Sequence, residues 1–311
     1  MAIGKSVHVG VNKAQDNFGV NKLSGCRLDA EKMFEIAETQ GFQAKPPLID
    51  GEATFEAVRN AILEAAEALE AGDIFLFTFA GHGSFNGTAD DEEDFQDEIM
   101  LLHDCLLPDN YLRRKLWSKF KQGVRILGIA DCCHSGTVLM SAPVGLGAGI
   151  GALSGLGGAS GAAVNARVRS RTRPRWTQTT EKDRDLNRGI TAKQRAGVRK
   201  GNPELHKMMD EEMLSIEGDQ LKARLLTLAA CKDNEFAKDG ADNGAFTARL
   251  LEVWNSGEFG NYKDFMEEIG KTFNGPDSLQ HPTIQTGDAD EEFINQKPFT
   301  IAAGPDDLSG D

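Results

Sequence analysis

His82 stands between Gly81 and Gly83, just after the apolar run Ile74 to Phe79, and Cys133 follows a second apolar run, Val124 to Ala130. A thiol attacks as its thiolate, so a nucleophilic cysteine needs an imidazole close by to take its proton, and both must project into one cleft. The two runs end abruptly in small and polar residues, Ala80-Gly81-His82-Gly83 and Asp131-Cys132-Cys133-His134-Ser135-Gly136. Strands of a parallel sheet bind ligands beyond their carboxyl ends, so these two segments lie where a cleft belongs. Gly83 can bring a bare backbone N–H up to a reacting carbonyl, and with the N–H of Cys133 it would form an oxyanion hole. Taken singly, each residue also has a plainer role: Cys133 as a small core hydrophobe, His82 as a turn residue bonded to backbone.

The elements that must position these residues follow from periodicity. Ser6 to Val11 reads as a short strand, Leu28 to Gln40 as an amphipathic helix that Gly41 would stop, and Phe42 to Ile49 as a second strand. Thr54 to Leu69 is helical, and Ile74 to Phe79 and Val124 to Ala130 are continuous apolar runs suited to central strands. Beyond residue 202 come the helical pattern Pro203 to Ile216, the strand-like Leu225 to Ala230, helices at Ala245 to Trp254 and Tyr262 to Phe273, and an edge strand at Pro282 to Gln285. Strands alternating with helices predict an α/β fold with a mostly parallel sheet.

Between the halves the composition changes. Ser141 to Ala166 carries eight glycines among Ala and Ser, and Arg167 to Lys200 carries nine Arg and three Lys against three acidic residues. Such a stretch has too little apolar surface to offset its ordering entropy, and residues 141–202 read as a flexible insert. The Gly-rich tract is too poor in large apolar residues to read as a membrane span.

The whole chain has 311 residues, 34 Lys+Arg against 48 Asp+Glu, and a net charge of -14, which argues against a nucleic-acid partner held by the general surface. Five cysteines, Cys26, Cys105, Cys132, Cys133 and Cys231, are too few for a disulfide scaffold and fit a reducing compartment. The first residues, MAIGKSVHVGVN, lack the apolar stretch of a signal peptide, so the expectation is a cytoplasmic protein without a membrane partner.

The segments FTFAGHG and IADCCHSGT resemble the caspase-like cysteine peptidases of the metacaspase type, and the His-to-Cys separation is the one associated with caspases. LSGCRLDAEKM is similar to the first helix of that family, and LAACKDNEFAKDGADNGAFTARLLEV to its small-subunit portion. The resemblance implies a caspase-hemoglobinase fold, with about six strands, mostly parallel, flanked by helices on both faces. Residues 1–140 would be the large-subunit-like part, 203–303 the small-subunit-like part, and 304–311 a tail. It also implies that Cys133, the Cys directly before His-Ser-Gly, is the nucleophile and His82 its partner. Cys132 would point the other way, because side chains alternate along a strand. Asp131, two positions before the nucleophile, and Asp29 would form an acidic pocket for Arg or Lys before the cleaved bond. Independently of the family, two carboxylates in a partly desolvated pocket favour a cation and repel Asp. Either could instead cap a helix or strand end.

The expected function is a cysteine endopeptidase that cleaves protein or peptide substrates after Arg or Lys through a thioester, and the resemblance implies a monomer. No cofactor is expected. The acidic run around Asp90, Asp91, Asp97 and Glu98 could supply hard ligands for calcium, but Met140 stands where calcium-dependent relatives place Asp, and a thioether is a poor substitute. An enzyme with an acidic pocket would find its own Arg-rich insert a tethered ligand. The insert is therefore expected to keep a zymogen silent until it is cut by the chain itself or by an upstream protease, at one of Arg167, Arg169, Arg171, Arg173, Arg175, Arg184, Arg188, Arg195 or Arg199. The contrasting reading is a catalytically silent caspase-like scaffold. A thiol redox or metal protein built on Cys132-Cys133 fits less well, since adjacent cysteines lack the C-x-x-C spacing.

Overall fold

A computed structural model describes residues 1–85, 98–133, 139, 188–215, 220–232, 235–254, 259–273 and 280–301. The apolar runs become strands of one sheet: β1 (Gly4–Gly10), β2 (Gln43–Ala44), β3 (Leu48–Ile49), β4 (Ile74–Ala80), β8 (Arg125–Asp131), β9 (Arg224–Ala229) and β10 (Thr283–Gln285). Its order is β10-β9-β8-β4-β1-β2, with β3 also on β1; all pairs are parallel except the antiparallel edge strand β10. A second, antiparallel sheet joins β5 (Gly83–Phe85), β6 (Glu98–Leu101) and β7 (Leu106–Pro108) directly after His82. The second strand expected at Phe42 to Ile49 is broken into β2 and β3, because Pro46 and Pro47 between them cannot donate to a ladder.

β4 and β8 are buried along their whole length, as strands covered on both faces must be. Alternation sends Phe75, Phe77 and Phe79 into one core with Trp117 and the apolar face of α2 (Phe55–Ala68). It sends Ile74, Leu76, Leu127 and Ile129 into the other, against α1 (Cys26–Thr39), α5 (Ala245–Trp254) and α6 (Tyr262–Lys271). The helix termini carry the expected devices: Thr54 accepts from the Ala57 N–H at the start of α2, and Asn261 does the same for Asp264 at α6. Among the described residues no helix is long and apolar enough to cross a membrane.

The end of the basic insert differs from the flexible loop expected there. Ala192–Gly201 form α3, opened by a capping box between Thr191 and Gln194, and Pro203–Leu214 form α4 with proline at its first turn. α3 is polar on most of its surface, but Gly197 and Gly201 let it lie against Phe18: a Cβ on Gly197 would meet the Phe18 carbonyl at 2.8 Å, and one on Gly201 the Phe18 ring at 2.4 Å. Tight backbone approach to a neighbouring turn supplies the packing that its composition does not announce.

The residues before and after the insert share one sheet. β8 and β9 pair over six positions, and Arg113 makes a bidentate ion pair with Asp288 at 2.6 and 2.9 Å across the same divide. A backbone cut between β8 and α4 should therefore leave both pieces together. The cut protein is expected to elute from gel filtration with the uncut chain while giving two bands under denaturing electrophoresis; two native species would contradict this.

Candidate active site

β4 and β8 are in register from Ile74 opposite Arg125 to Ala80 opposite Asp131. His82 and Cys133 each follow that last pair by two residues, so the register brings them to the same level beyond the sheet. Gly83 closes the gap: a Cβ there would meet the Cys133 carbonyl at 2.1 Å, so only glycine allows the two chains to lie this close. Cys132 belongs to the core on one face of the sheet and Cys133 to the core on the other, as alternation requires.

His82 is buried, with Nε2 2.8 Å from the Asn21 carbonyl and Nδ1 enclosed without a hydrogen-bond partner. Burial lowers its pKa; the Asn21 carbonyl and the Arg188 main chain beside the ring oppose that only partly. The imidazole is thus neutral near pH 7, the form that can accept a proton. Burial pushes the Cys133 thiol well above its ordinary value and Cys231 adds to the push, while the main chains of Ala237 and Arg188 offset it in part. Sγ donates to the Ala237 carbonyl at 3.6 Å. With the cleft closed, the thiol is protonated.

Beside both residues lies Arg188, one of the nine arginines of the insert. Its side chain is fully buried. Nη2 donates to Asp29 Oδ2 at 2.6 Å, and Nη1 lies 3.0 Å from Asp131 Oδ1 and donates to the Asp131 carbonyl at 2.7 Å. Nε and Nη2 donate to Asp239 Oδ1 at 3.3 and 3.1 Å. Burial alone would lower the guanidinium pKa, but Asp131, Cys26, Asp29 and Asp239 outweigh it and raise it. The carboxylates are themselves anchored. Asp29 accepts from Asn243 Nδ2 and the Gly244 N–H, Asp131 from the Thr247 N–H and hydroxyl, and Asp239 from the N–H groups of Ser24 and Gly25. Gly244 forms a wall, since a Cβ would meet Arg188 Nη2 and Asp131 Oδ2 at 2.5 Å.

The Arg188 main chain is held as firmly. Its N–H donates to the Ala237 carbonyl at 3.0 Å, and its carbonyl accepts from the Gly83 N–H at 2.8 Å. That is the N–H which the sequence offers to a reacting carbonyl. The Arg188 main chain therefore lies beside His82, Cys133 and the Gly83 N–H together.

Asp29 and Asp131 thus meet in one buried cluster around Arg188. Asp239 and Gly244 carry no signal in the sequence: they lie in the segment LAACKDNEFAKDGADNG, and no spacing rule ties them to residues 29 and 131. Of the other arginines named above, Arg195 lies on α3 with Nη1 2.7 Å from Ser84 Oγ, and Arg199 faces Asp210 at 3.5 Å. Arg167, Arg169, Arg171, Arg173, Arg175 and Arg184 lie outside the described residues, as do Asp90, Asp91 and Asp97. Glu98 is buried on β6. Among the described residues no group of three His, Cys, Asp or Glu side chains is placed to hold a metal ion.

Comparison with known proteins supplies the context. The family described as the caspase domain matches residues 7–294. Metacaspase-1 of Kluyveromyces lactis is 29% identical over 150 residues, covering 43% of this chain and 34% of that protein. Metacaspase III c of Phaeodactylum tricornutum is 34% identical over 148 residues, covering 43% of each. The matched stretch thus spans well under half the length of these relatives. One similar protein, of Trypanosoma brucei brucei, is named an inactive metacaspase, so likeness alone does not establish turnover. A crystal structure of a Geobacter sulfurreducens protein superposes with a TM-score of 0.71 at 31% identity, covering 96% of this chain and 99% of that one.

The pocket carries its own pH signature. Burial raises the Asp29 carboxyl to about 6; Arg188 offsets this and Asp131 adds to it. Removing Arg188 removes that offset but also admits water, which eases the effect of burial. A carboxyl holds a cation only when ionised, so cation binding is complete above that pKa and lost as pH falls through it. Calorimetric titration of Arg188→Gln with benzamidine between pH 8 and pH 5 should give an affinity that declines as pH falls and Asp29 takes up its proton. A flat profile down to pH 5 would contradict the assignment.

Proposed function

The chain belongs to the caspase-domain family of cysteine peptidases, and from that membership we propose that it is an endopeptidase that cleaves after Arg, made as a zymogen whose own Arg188 fills the specificity pocket. The observation that carries this reading is the seat of Arg188: side chain among three carboxylates, carbonyl on the Gly83 N–H, and main chain beside Cys133 and His82. A merely structural arginine would need the ion pairs, but not the carbonyl at a nucleophile.

In this mechanism His82 takes the Cys133 thiol proton as the sulfur attacks the carbonyl carbon of the residue in the pocket. The oxyanion accepts from the Gly83 N–H. His82 then gives the proton to the leaving amine, the acyl group remains on sulfur as a thioester, and water activated by His82 hydrolyses it, restoring the thiol. The alternative of a silent scaffold is disfavoured by the retention of His82, Cys133 and Gly83 around a peptide bond.

Asp239 favours arginine over lysine. It meets Nε and Nη2, donors on the side of the guanidinium facing residues 24 and 25. A lysine ammonium is a single point with three donors and cannot serve Asp29, Asp131 and Asp239 with the same fork geometry.

Two sets of variants test this. Mass spectrometry of the wild-type chain should find cleavage after Arg188 that is absent from Cys133→Ala. Gly189→Pro should stay uncut and silent toward small Arg peptides. Arg188→Gln should also stay uncut at that bond yet hydrolyse those peptides faster than Gly189→Pro, because its pocket is free. Equal activity of Gly189→Pro and cut wild type would end the zymogen reading, and absence of thiol-dependent hydrolysis in every form would end the peptidase reading.

For specificity, Asp239→Asn should lower kcat/KM for Arg peptides by roughly tenfold or more, the worth of a hydrogen bond to a charged group. Lys peptides should change much less. A fall equal for both substrates would mean that Asp239 acts only by holding Ser24 and Gly25.

A further inference from the structure

We infer that the cleft has a second specificity site on the far side of the cleaved bond, formed by Gly83 and Ser84 of β5 and an apolar hollow lined by Phe18, Ile99, Leu101 and Leu106, which takes an aliphatic residue two positions after the bond. The inference rests on the proposed reading of Arg188 as the residue before that bond, and it concerns the residues on the leaving side.

Residues 188–190 pair in parallel with β5, with Gly189 opposite Gly83. The Gly83 N–H donates to the Arg188 carbonyl at 2.8 Å, the Ile190 N–H donates to the Gly83 carbonyl at 3.3 Å, and Ser84 Oγ donates to the Ile190 carbonyl at 3.1 Å. These bonds use only main-chain atoms of the bound segment, so any extended peptide can make them; strand addition of this kind draws affinity from main chain and selectivity from alternate side chains. Alternation puts Arg188 and Ile190 on one side of the segment, and both are buried, Ile190 to 8% exposure.

The hollow that receives Ile190 is built outside the insert. Ile99 and Leu101 come from β6, Leu106 from β7 and Phe18 from the turn after β1, and all four are nearly inaccessible with Ile190 in place. Val198 of α3 also joins the cluster, but it travels with the insert. When residues 188–201 leave, a groove with two backbone partners and an apolar floor remains beside the nucleophile. An aliphatic side chain gains by entering it, whereas a charged one would be stripped of water with no opposite charge among the four lining residues.

The experiment uses the wild-type chain and quenched fluorescent peptides that share Arg-Gly before a variable residue: Ile, Leu, Val, Ala, Asp or Lys. kcat/KM should be about tenfold or more higher for Ile, Leu and Val than for Asp and Lys, as expected for burying one aliphatic side chain. In Ile99→Ala the ratio between Ile and Asp peptides should shrink, a comparison within one protein that is independent of how much of it is folded. Inside the chain, Ile190→Asp should slow self-cleavage after Arg188 by a similar factor. Equal rates across the series, with Arg still required before the bond, would overturn the second site and leave the peptidase reading intact. Failure to cleave any of the Arg peptides would overturn both.

Discussion

A guanidinium with no solvent exposure is the constraint on which the site depends. Taking such a charge out of water costs several kcal/mol unless opposite charge and hydrogen bonds surround it, so the protein must bring Asp29, Asp131 and Asp239 to one point. They come from the first turn of α1, the last residue of β8 and the segment before α5, parts of the chain on both sides of the insert. Three carboxylates around one cation leave negative charge in excess, and the Asp29 carboxyl, raised first by burial, is raised further by Asp131. The backbone N–H groups of Ser24, Gly25, Gly244 and Thr247, with Asn243, stabilise what the single guanidinium cannot. A cluster built this way needs a cation, and on the proposed reading the selectivity for substrate and the seat of the chain's own arginine have one origin.

The sheet supplies the second half of the site by register alone. Because β4 and β8 are adjacent, parallel and aligned through Ala80 and Asp131, equal extensions beyond them bring His82 and Cys133 level, and their proximity requires a glycine at 83. The same burial that fixes these residues raises the thiol and lowers the imidazole. Both shifts favour the neutral pair over thiolate and imidazolium.

Much of this was legible in the sequence, for physical reasons that differ by element. Runs such as IFLFTF and VRILGIA can only be doubly covered strands, and their abrupt ends locate the cleft. Alternation along a strand is by itself enough to send Cys132 and Cys133 to opposite faces. α3 was illegible because its signals conflict: Thr191 and Gln194 form a capping box, yet Val198 is its one buried residue and the rest is basic or small. Its stability comes from glycines pressed against Phe18, a tertiary fact without periodicity. Asp239 was illegible for a related reason, since its meaning comes from a distance to residues more than 100 positions away. The insert's arginines were visible as a class, but composition cannot rank nine equivalent charges; only the neighbours of Arg188 do so.

Connectivity then distinguishes one cut from the others. Arg188 is tied on one side to α3, which begins at Ala192 and packs on Phe18, and on the other to a long Gly-rich and Arg-rich tether. Effective concentration depends on how few residues lie between a side chain and a fixed point, and a docked helix a few residues away holds Arg188 near its pocket far more strongly than the long connection back to Cys133 does. Cuts after Arg167, Arg169, Arg171, Arg173, Arg175 or Arg184 would shorten or remove only the weaker tie and leave Arg188 attached to α3. A cut after Arg188 breaks the stronger one: the arginine becomes a chain end, while Gly189 and Ile190 stay with the helix. On the proposed reading, the bond beside Cys133 is thus the one among these whose breakage frees the pocket, and release of the far side waits on the helix.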